Sequence, residues 1–87
     1  MTDKEIIDLI NTSLAEEFEL EMDDLVPEAS LFDDLKLDSL DMVDMVIVLE
    51  KAFKFKVREE KAIRKIRTVG DLQNFVIKKK REIEARS

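Results

Sequence analysis

One glycine and one proline punctuate the whole of this 87-residue chain. A sheet protein of that length needs turn residues at roughly every 8–12 positions, so the sparse supply argues against strands and for helices. Abundant Leu, Ile, Glu, Lys and Asp, with few aromatics, agree with that class. Cysteine and histidine are absent altogether. Their absence removes disulfides, Cys/His zinc sites, His-ligated haem, Cys nucleophiles and Ser/His/Asp triads. A fold this small buries only about 60% of its unfolded surface, so apolar packing alone has to hold it, and a second domain is excluded. The longest apolar run is Met45 to Leu49, and Asp3, Lys4 and Glu5 open the chain. The expectation is one soluble domain over residues 1–87, without membrane insertion or a secretory signal, resident in the cytoplasm. The discrete length and polar termini add the expectation of a free-standing, monomeric protein.

Helical periodicity then places the elements. Thr2 followed by Glu5 reads as a capping box, after which Ile6, Ile7, Ile10, Leu14 and Phe18 recur at helical spacing, predicting a first helix from about Asp3 to Phe18. A long connection, roughly Glu19 to Asp38, follows. Its Leu20, Met22, Leu25, Leu31, Phe32, Leu35 and Leu37 predict an ordered segment rather than a disordered one. Ser30 with Asp33 is read as the cap of a single turn inside it. A second helix is predicted from Asp38 or Ser39 to Phe53, then a short extended link at residues 54–58. A short helix from Glu59 to Ile66 carries Ala62, Ile63 and Ile66, and a last helix is capped by Thr68 with Asp71. In this last helix Val69, Leu72, Phe75 and Val76 share a face. The predicted fold is all-α, a four-helix bundle of three longer helices and one short one, with a long loop between the first two.

The second helix carries more apolar surface than one core face uses. At about 100° per residue, Met42, Met45, Val46, Leu49, Ala52 and Phe53 fall in one sector, whereas Leu40, Val43 and Ile47 fall in another, about 140° away. Asp44 and Lys51 flank the second stripe on one side and Glu50 on the other. Burial all round would account for both stripes but would also bury Asp41, Asp44, Glu50 and Lys51 without partners, at a heavy cost. A partly exposed apolar strip rimmed by charge is instead the anatomy of a helix that docks on another protein.

Charge divides by position. Residues 1–53 hold 16 acids against 3 bases, a net of −13, and residues 54–87 hold 5 acids against 12 bases, a net of +7. The acidic part steers basic protein surfaces toward the chain and repels nucleic acid. The basic tail at about 78–87, with Lys78, Lys79, Lys80 and Arg81, lacks aromatic interleaving and reads as a solvated helix terminus, so nucleic acid is not expected as a partner.

Immediately before the second helix stands DDLKLDSLDMV, residues 33–43. Asp38 is itself a good N-cap, which leaves the Ser39 hydroxyl free to face solvent. An anion attached there would sit at the positive end of the helix beside free backbone N–H groups. The segment LDSLDMVDMVIVLEKAF, residues 37–53, resembles the prosthetic-group site and following helix of acyl carrier proteins. The Ala-Glu-Glu-Phe end of the first helix, the Leu-Phe-Asp-Asp-Leu approach to the serine and the Thr-Val-Gly-Asp-Leu opening of the last helix occur in that family's order.

The resemblance implies that Ser39 is the attachment point for phosphopantetheine, transferred from coenzyme A by a separate phosphopantetheinyl transferase. It also implies that the domain is not an enzyme but holds acyl groups as thioesters for acyl-transferring or acyl-modifying partners. Asp38, Leu40 and Asp41 match positions beside the prosthetic group. Leu40, Val43, Asp44 and Ile47 match the partner-facing side of the helix, and Lys51 lies at the same rim. Leu14, Phe18, Phe53, Phe75 and Val76 are expected either to close over the acyl chain or to stay collapsed. Lys36 stands where the family commonly has glycine, and Lys51, Lys54, Lys56 and Arg58 stand in a region that is largely acidic in carriers of general fatty-acid synthesis, which implies a specialised carrier.

Other classes fit less well. A helical interaction module without a prosthetic group would share the exposed stripe but not the need for a serine. An EF-hand starting at Asp33 would need acids where Leu35 and Leu37 stand and glycine where Asp38 stands. Acid pairs such as Asp33/Asp34 and Glu16/Glu17 have no companion groups for catalysis.

Overall fold

The computed structural model describes residues 1–57 and 60–86. Its elements are α1 (Asp3–Phe18), a 3₁₀ turn (Met22–Asp24), α2 (Ser39–Phe53), α3 (Glu60–Arg64) and α4 (Val69–Arg86). No strand occurs among the described residues; a single antiparallel bridge joins Ser30 to Thr68. Arg58 and Glu59, predicted as the end of the extended link and the start of the short helix, lie outside the described residues, as do the side chains of Glu60 and Ala62.

Local chemistry sets the helix starts. In α1 the Glu5 N–H donates to Thr2 Oγ1 at 3.2 Å and the Thr2 N–H donates to Glu5 Oε1 at 2.8 Å. The same reciprocal arrangement opens α4, where the Asp71 N–H donates to Thr68 Oγ1 at 3.1 Å and the Thr68 N–H to Asp71 Oδ2 at 3.2 Å. Each box satisfies helix-end donors that would otherwise have no partner. At their C-termini α1 and α2 end on Glu19 (φ 54°) and Lys54 (φ 57°) in the left-handed region, and the N–H groups of these caps bond the carbonyls of Ala15 and Glu50.

Helix α1 packs against both α2 and α4. The core between them is built from Ile6, Ile10 and Leu14, from Met42, Met45, Leu49 and Phe53, and from Val69, Leu72 and Val76. Phe18 and Phe75, on the predicted faces, are only partly buried at the margin of this core. The Asn11 carbonyl oxygen accepts from the Gln73 amide at 3.3 Å across the α1–α4 seam, which gives the buried Gln73 a partner.

The connection from α1 to α2 is ordered because its apolar residues enter the core and its backbone is tied to the segment before α4. Leu25, Ala29, Leu31, Leu35 and Leu37 are buried, and Leu20 is partly buried. Met22 and Phe32 depart from the expectation and are exposed. The 3₁₀ turn is anchored through the flanking Leu25 rather than through Met22, and neighbouring Leu31 takes the inward place beside Phe32. The Leu31 N–H bonds the Arg67 carbonyl at 2.9 Å, the Val69 N–H bonds that of Ala29 at 3.0 Å, and the Gly70 N–H bonds that of Pro27 at 2.9 Å. The approach at Gly70 explains its glycine, since an added Cβ would stand 3.0 Å from the Pro27 carbonyl oxygen and 3.2 Å from its Cβ.

Ser30 caps its turn as predicted: its Oγ accepts from the Asp33 N–H at 3.1 Å, and its own N–H donates to Asp34 Oδ2 at 2.7 Å. After α2, Phe55 is buried and its ring stacks on Phe53 at a centroid distance of 5.7 Å, while Lys54 and Lys56 are exposed. The alternation read from residues 54–57 therefore sorts side chains inward and outward without forming a strand.

Residues 78–86, predicted as a basic tail, continue α4. Rather than standing only in solvent, this end meets the start of α1. Arg81 pairs with Asp3 and donates to the Met1 carbonyl at 3.3 Å, and the Met1 amine pairs with Glu84 at 3.2 Å.

Candidate functional site

Asp38 caps α2. Its Oδ1 accepts from the Asp41 N–H at 2.9 Å while Asp41 Oδ2 accepts from the Asp38 N–H at 2.9 Å. The two carboxylates predicted beside the serine thus occupy each other's backbone donors, and together they fix where the helix starts. Ser39 is the first residue of α2 and is exposed. Among the described residues its hydroxyl has no hydrogen-bond partner, and neither its N–H nor that of Leu40 meets an acceptor in the chain. A nucleophilic oxygen with no structural duty therefore stands beside two unpaired donors at the positive end of a helix. That donor set suits a phosphate ester on Ser39, because an anion there gains from both the N–H groups and the dipole.

The turn into this site runs through Lys36, whose φ is 61°. The left-handed conformation is common for glycine, which the family commonly has at this position, and costly for other residues. Leu35 and Leu37 on either side are buried, so the chain is held on both flanks of the strained residue.

Both stripes of α2 are realised. Met42, Met45, Leu49 and Phe53 face the core, whereas Leu40, Val43 and Ile47 are 76%, 58% and 44% exposed. Asp44 and Lys51 are exposed beside that second stripe, and Glu50 is half-buried. Val46, grouped with the core face from the wheel, is only half-buried, because a groove of about 790 Å³ opens along its side of α2.

One wall of this groove is α2, through Ser39, Met42, Val43, Val46, Ile47 and Glu50. The other is formed by Phe32 of the long connection and by Val57, Ile63, Arg64, Ile66 and Arg67. The space beside the serine is therefore not closed by Leu14, Phe18, Phe53, Phe75 and Val76. Of these, Leu14, Phe53 and Val76 are buried in the core, and none of the five lines the groove.

Phe32, Val57, Ile63 and Ile66 are thus site residues that the sequence did not mark as such. The signal they carried was small: one phenylalanine in a capped turn, and Ile63 and Ile66 three apart across the end of α3. Arg67 turns back over the end of α3, donating to the Arg64 carbonyl, which the short helix leaves open, and, at 3.3 Å, to that of Ile66.

Comparison with known proteins bears on the whole of this arrangement. The family described as "Phosphopantetheine attachment site" matches residues 8–76, which includes α2, α3 and the start of α4. The acyl carrier protein of Syntrophobacter fumaroxidans is 40% identical over 75 residues, covering 86% of each chain. That of Thermosynechococcus vestitus is 34% identical over 76 residues, covering 87% of this chain and 93% of the relative. The acyl carrier protein of Borreliella burgdorferi is 32% identical over 80 residues, covering 92% of this chain and 99% of the relative. Among solved structures, the acyl carrier protein of Enterococcus faecalis superposes with a TM-score of 0.71 at 27% identity, covering 90% of this chain and 98% of that one. A free serine at a capped helix start, an exposed apolar stripe beside it and an ordered all-helical frame coincide with sequence likeness over most of the chain: it belongs to the acyl carrier protein family, whose members carry covalently attached phosphopantetheine.

Proposed function

We propose that Ser39 is the residue that bears phosphopantetheine and that the chain, as one carrier domain over residues 1–87, presents acyl thioesters to enzymes that dock on α2. The observation that carries this reading is the free Ser39 hydroxyl at the first position of α2, with the Asp38–Asp41 cap leaving the N–H groups of Ser39 and Leu40 without acceptors. When bound, the prosthetic group supplies a terminal thiol that forms thioesters. The chain's own residues supply the rest. Asp38 and Asp41 hold the helix start, so the hydroxyl is presented rigidly to a phosphopantetheinyl transferase; the free N–H groups favour the phosphodiester once made; and tethering raises the effective concentration of cargo at a docked enzyme.

Leu40, Val43 and Ile47 are the apolar anchors of docking, with Asp44 and Lys51 setting approach at the rim. The apolar groove beside Ser39 gives an acyl chain a place out of water between encounters, with Phe32, Val43, Ile47 and Ile63 in its walls. The bases after residue 53 support service to a specialised acyl pathway, because they oppose the basic rims that attract uniformly acidic carriers. The carrier acts as a monomer in the cytoplasm, without nucleic acid as a partner.

Co-expression with a broad-specificity phosphopantetheinyl transferase tests the reading. The intact mass is expected to rise by one phosphopantetheine, and Ser39→Ala is expected to remain at the bare polypeptide mass while keeping its helical content. A wild type that stays unmodified, or an Ala variant that is still modified, overturns it.

A further inference from the structure

The groove beside Ser39 carries charge of both signs in its walls, Glu50 on α2 and Arg64 and Arg67 opposite. On the α2 side, Asp38, Asp41, Asp44 and Glu50 are the only charged residues from position 37 to position 50. The opposite wall holds Arg64 and Arg67, and in the segment that supplies it Lys54, Lys56, Lys61, Arg64 and Lys65 are exposed, none of them in an ion pair among the described residues. Glu50 and Arg64 both line the groove, so the two charge fields border one cleft rather than opposite ends of the molecule. Leu40, Val43 and Ile47 are exposed on α2, and Val43 and Ile47 also line the groove. A face with an apolar centre and a rim of two signs is not complementary to a partner of one sign, because like charges brought together at a rim slow encounter and penalise the complex.

We infer that the enzymes this carrier serves present a two-signed docking surface: basic groups toward the start of α2, an apolar centre for Leu40, Val43 and Ile47, and acidic groups toward residues 54–65. This deepens the proposed function, since it names the chemistry of the partner at the same site, and it rests on docking taking place at α2. Within it, Lys56, Lys61 and Lys65 are specificity residues, which admit a partner carrying acids on that side and reject one that is basic throughout.

The test is a charge exchange read by binding. The probe is an acyl-carrier-dependent synthase whose docking rim consists of Lys and Arg, used as it is and in a form whose rim residues toward α3 are replaced by Glu. Each form is titrated with the Ser39→Ala chain and with the Ser39→Ala chain also bearing Lys56→Glu, Lys61→Glu and Lys65→Glu. The Ala background removes the prosthetic group, so the outcome is independent of whether Ser39 is the attachment site, which intact mass decides separately. The unexchanged chain is expected to bind the Glu-bearing synthase about tenfold or more tighter than the all-basic one, and the Glu-bearing chain to reverse that order, both effects shrinking with added salt. A second variant with Lys56→Gln, Lys61→Gln and Lys65→Gln is expected to fall between the two and guards against loss of fold. Charge exchanges that add without coupling place residues 54–65 outside the docking face and overturn the inference. Sedimentation showing that the chain pairs with a second copy through its acidic and basic sides, with the groove covered, overturns it as well.

Discussion

A single hydroxyl is left idle at the start of α2 because a neighbouring residue does the capping. Asp38 rather than Ser39 accepts the Asp41 N–H, and the serine is thereby released for chemistry at the place where an anion is best tolerated. The turn that delivers it is not free of strain. Lys36 holds φ at 61°, a conformation that costs a residue with a Cβ about 1–2 kcal/mol, part of which glycine would give back through the larger entropy of its unfolded chain. Lys36→Gly is therefore expected to stabilise the domain by about 0.5–1 kcal/mol and raise its melting temperature by a few degrees. Thermal unfolding followed by circular dichroism checks this; an unchanged or lower midpoint would show that the turn carries no strain that glycine can relieve.

The helices themselves were open to a reader of the sequence because their start signals are local. Thr2 with Glu5, Asp38 with Asp41 and Thr68 with Asp71 each stand three residues apart, the spacing that reciprocal capping requires, and each pair makes both bonds. In α4 the capping carboxylate also carries a pH signature. The backbone N–H groups of Arg67 and then Thr68 hold the Asp71 carboxyl below the ordinary carboxylate range. A depressed folded-state pKa contributes stability that is fully present above the unfolded value and is lost as pH falls through the folded one. Asp71 is also the only acid between Lys61 and Arg81, so its removal leaves a basic stretch unrelieved. Asp71→Asn is expected to melt a few degrees below wild type at neutral pH, and the two curves are expected to converge on acidification. A gap that stays constant with pH would contradict the capping role of the charge. Less visible in the sequence was anything that depends on two segments meeting. Val46 falls in the core sector of an isolated wheel, yet it borders a groove whose far wall comes from residues 32, 57, 63, 64, 66 and 67. Helical periodicity sees one helix at a time, and no spacing rule relates Phe32 to Ile63.

For the molecule as a whole, three helices enclose the core while α3 and the segments around it stand across a groove from α2. The long connection is firm because Pro27, Ala29 and Leu31 are strapped by backbone bonds to residues 67–70, so the serine and the far wall of the groove hang from the same seam. Part of the charge division along the sequence meets across that groove, Glu50 on α2 facing a wall that holds Arg64 and Arg67, and that is the basis for expecting a partner of mixed sign. The residue that bears the prosthetic group decides everything else proposed for this chain, and the spacing of its lysines makes that residue directly readable. Cleavage after Lys36 and Lys51 releases the peptide Leu37–Lys51, in which Ser39 is the sole hydroxyl-bearing residue, while Thr12, Ser13 and Ser30 leave together on the peptide Glu5–Lys36. Fragmentation of the modified protein by mass spectrometry is expected to find phosphopantetheine on Leu37–Lys51 and nowhere else. Its appearance on Glu5–Lys36, or on any other peptide, would contradict the assignment of Ser39.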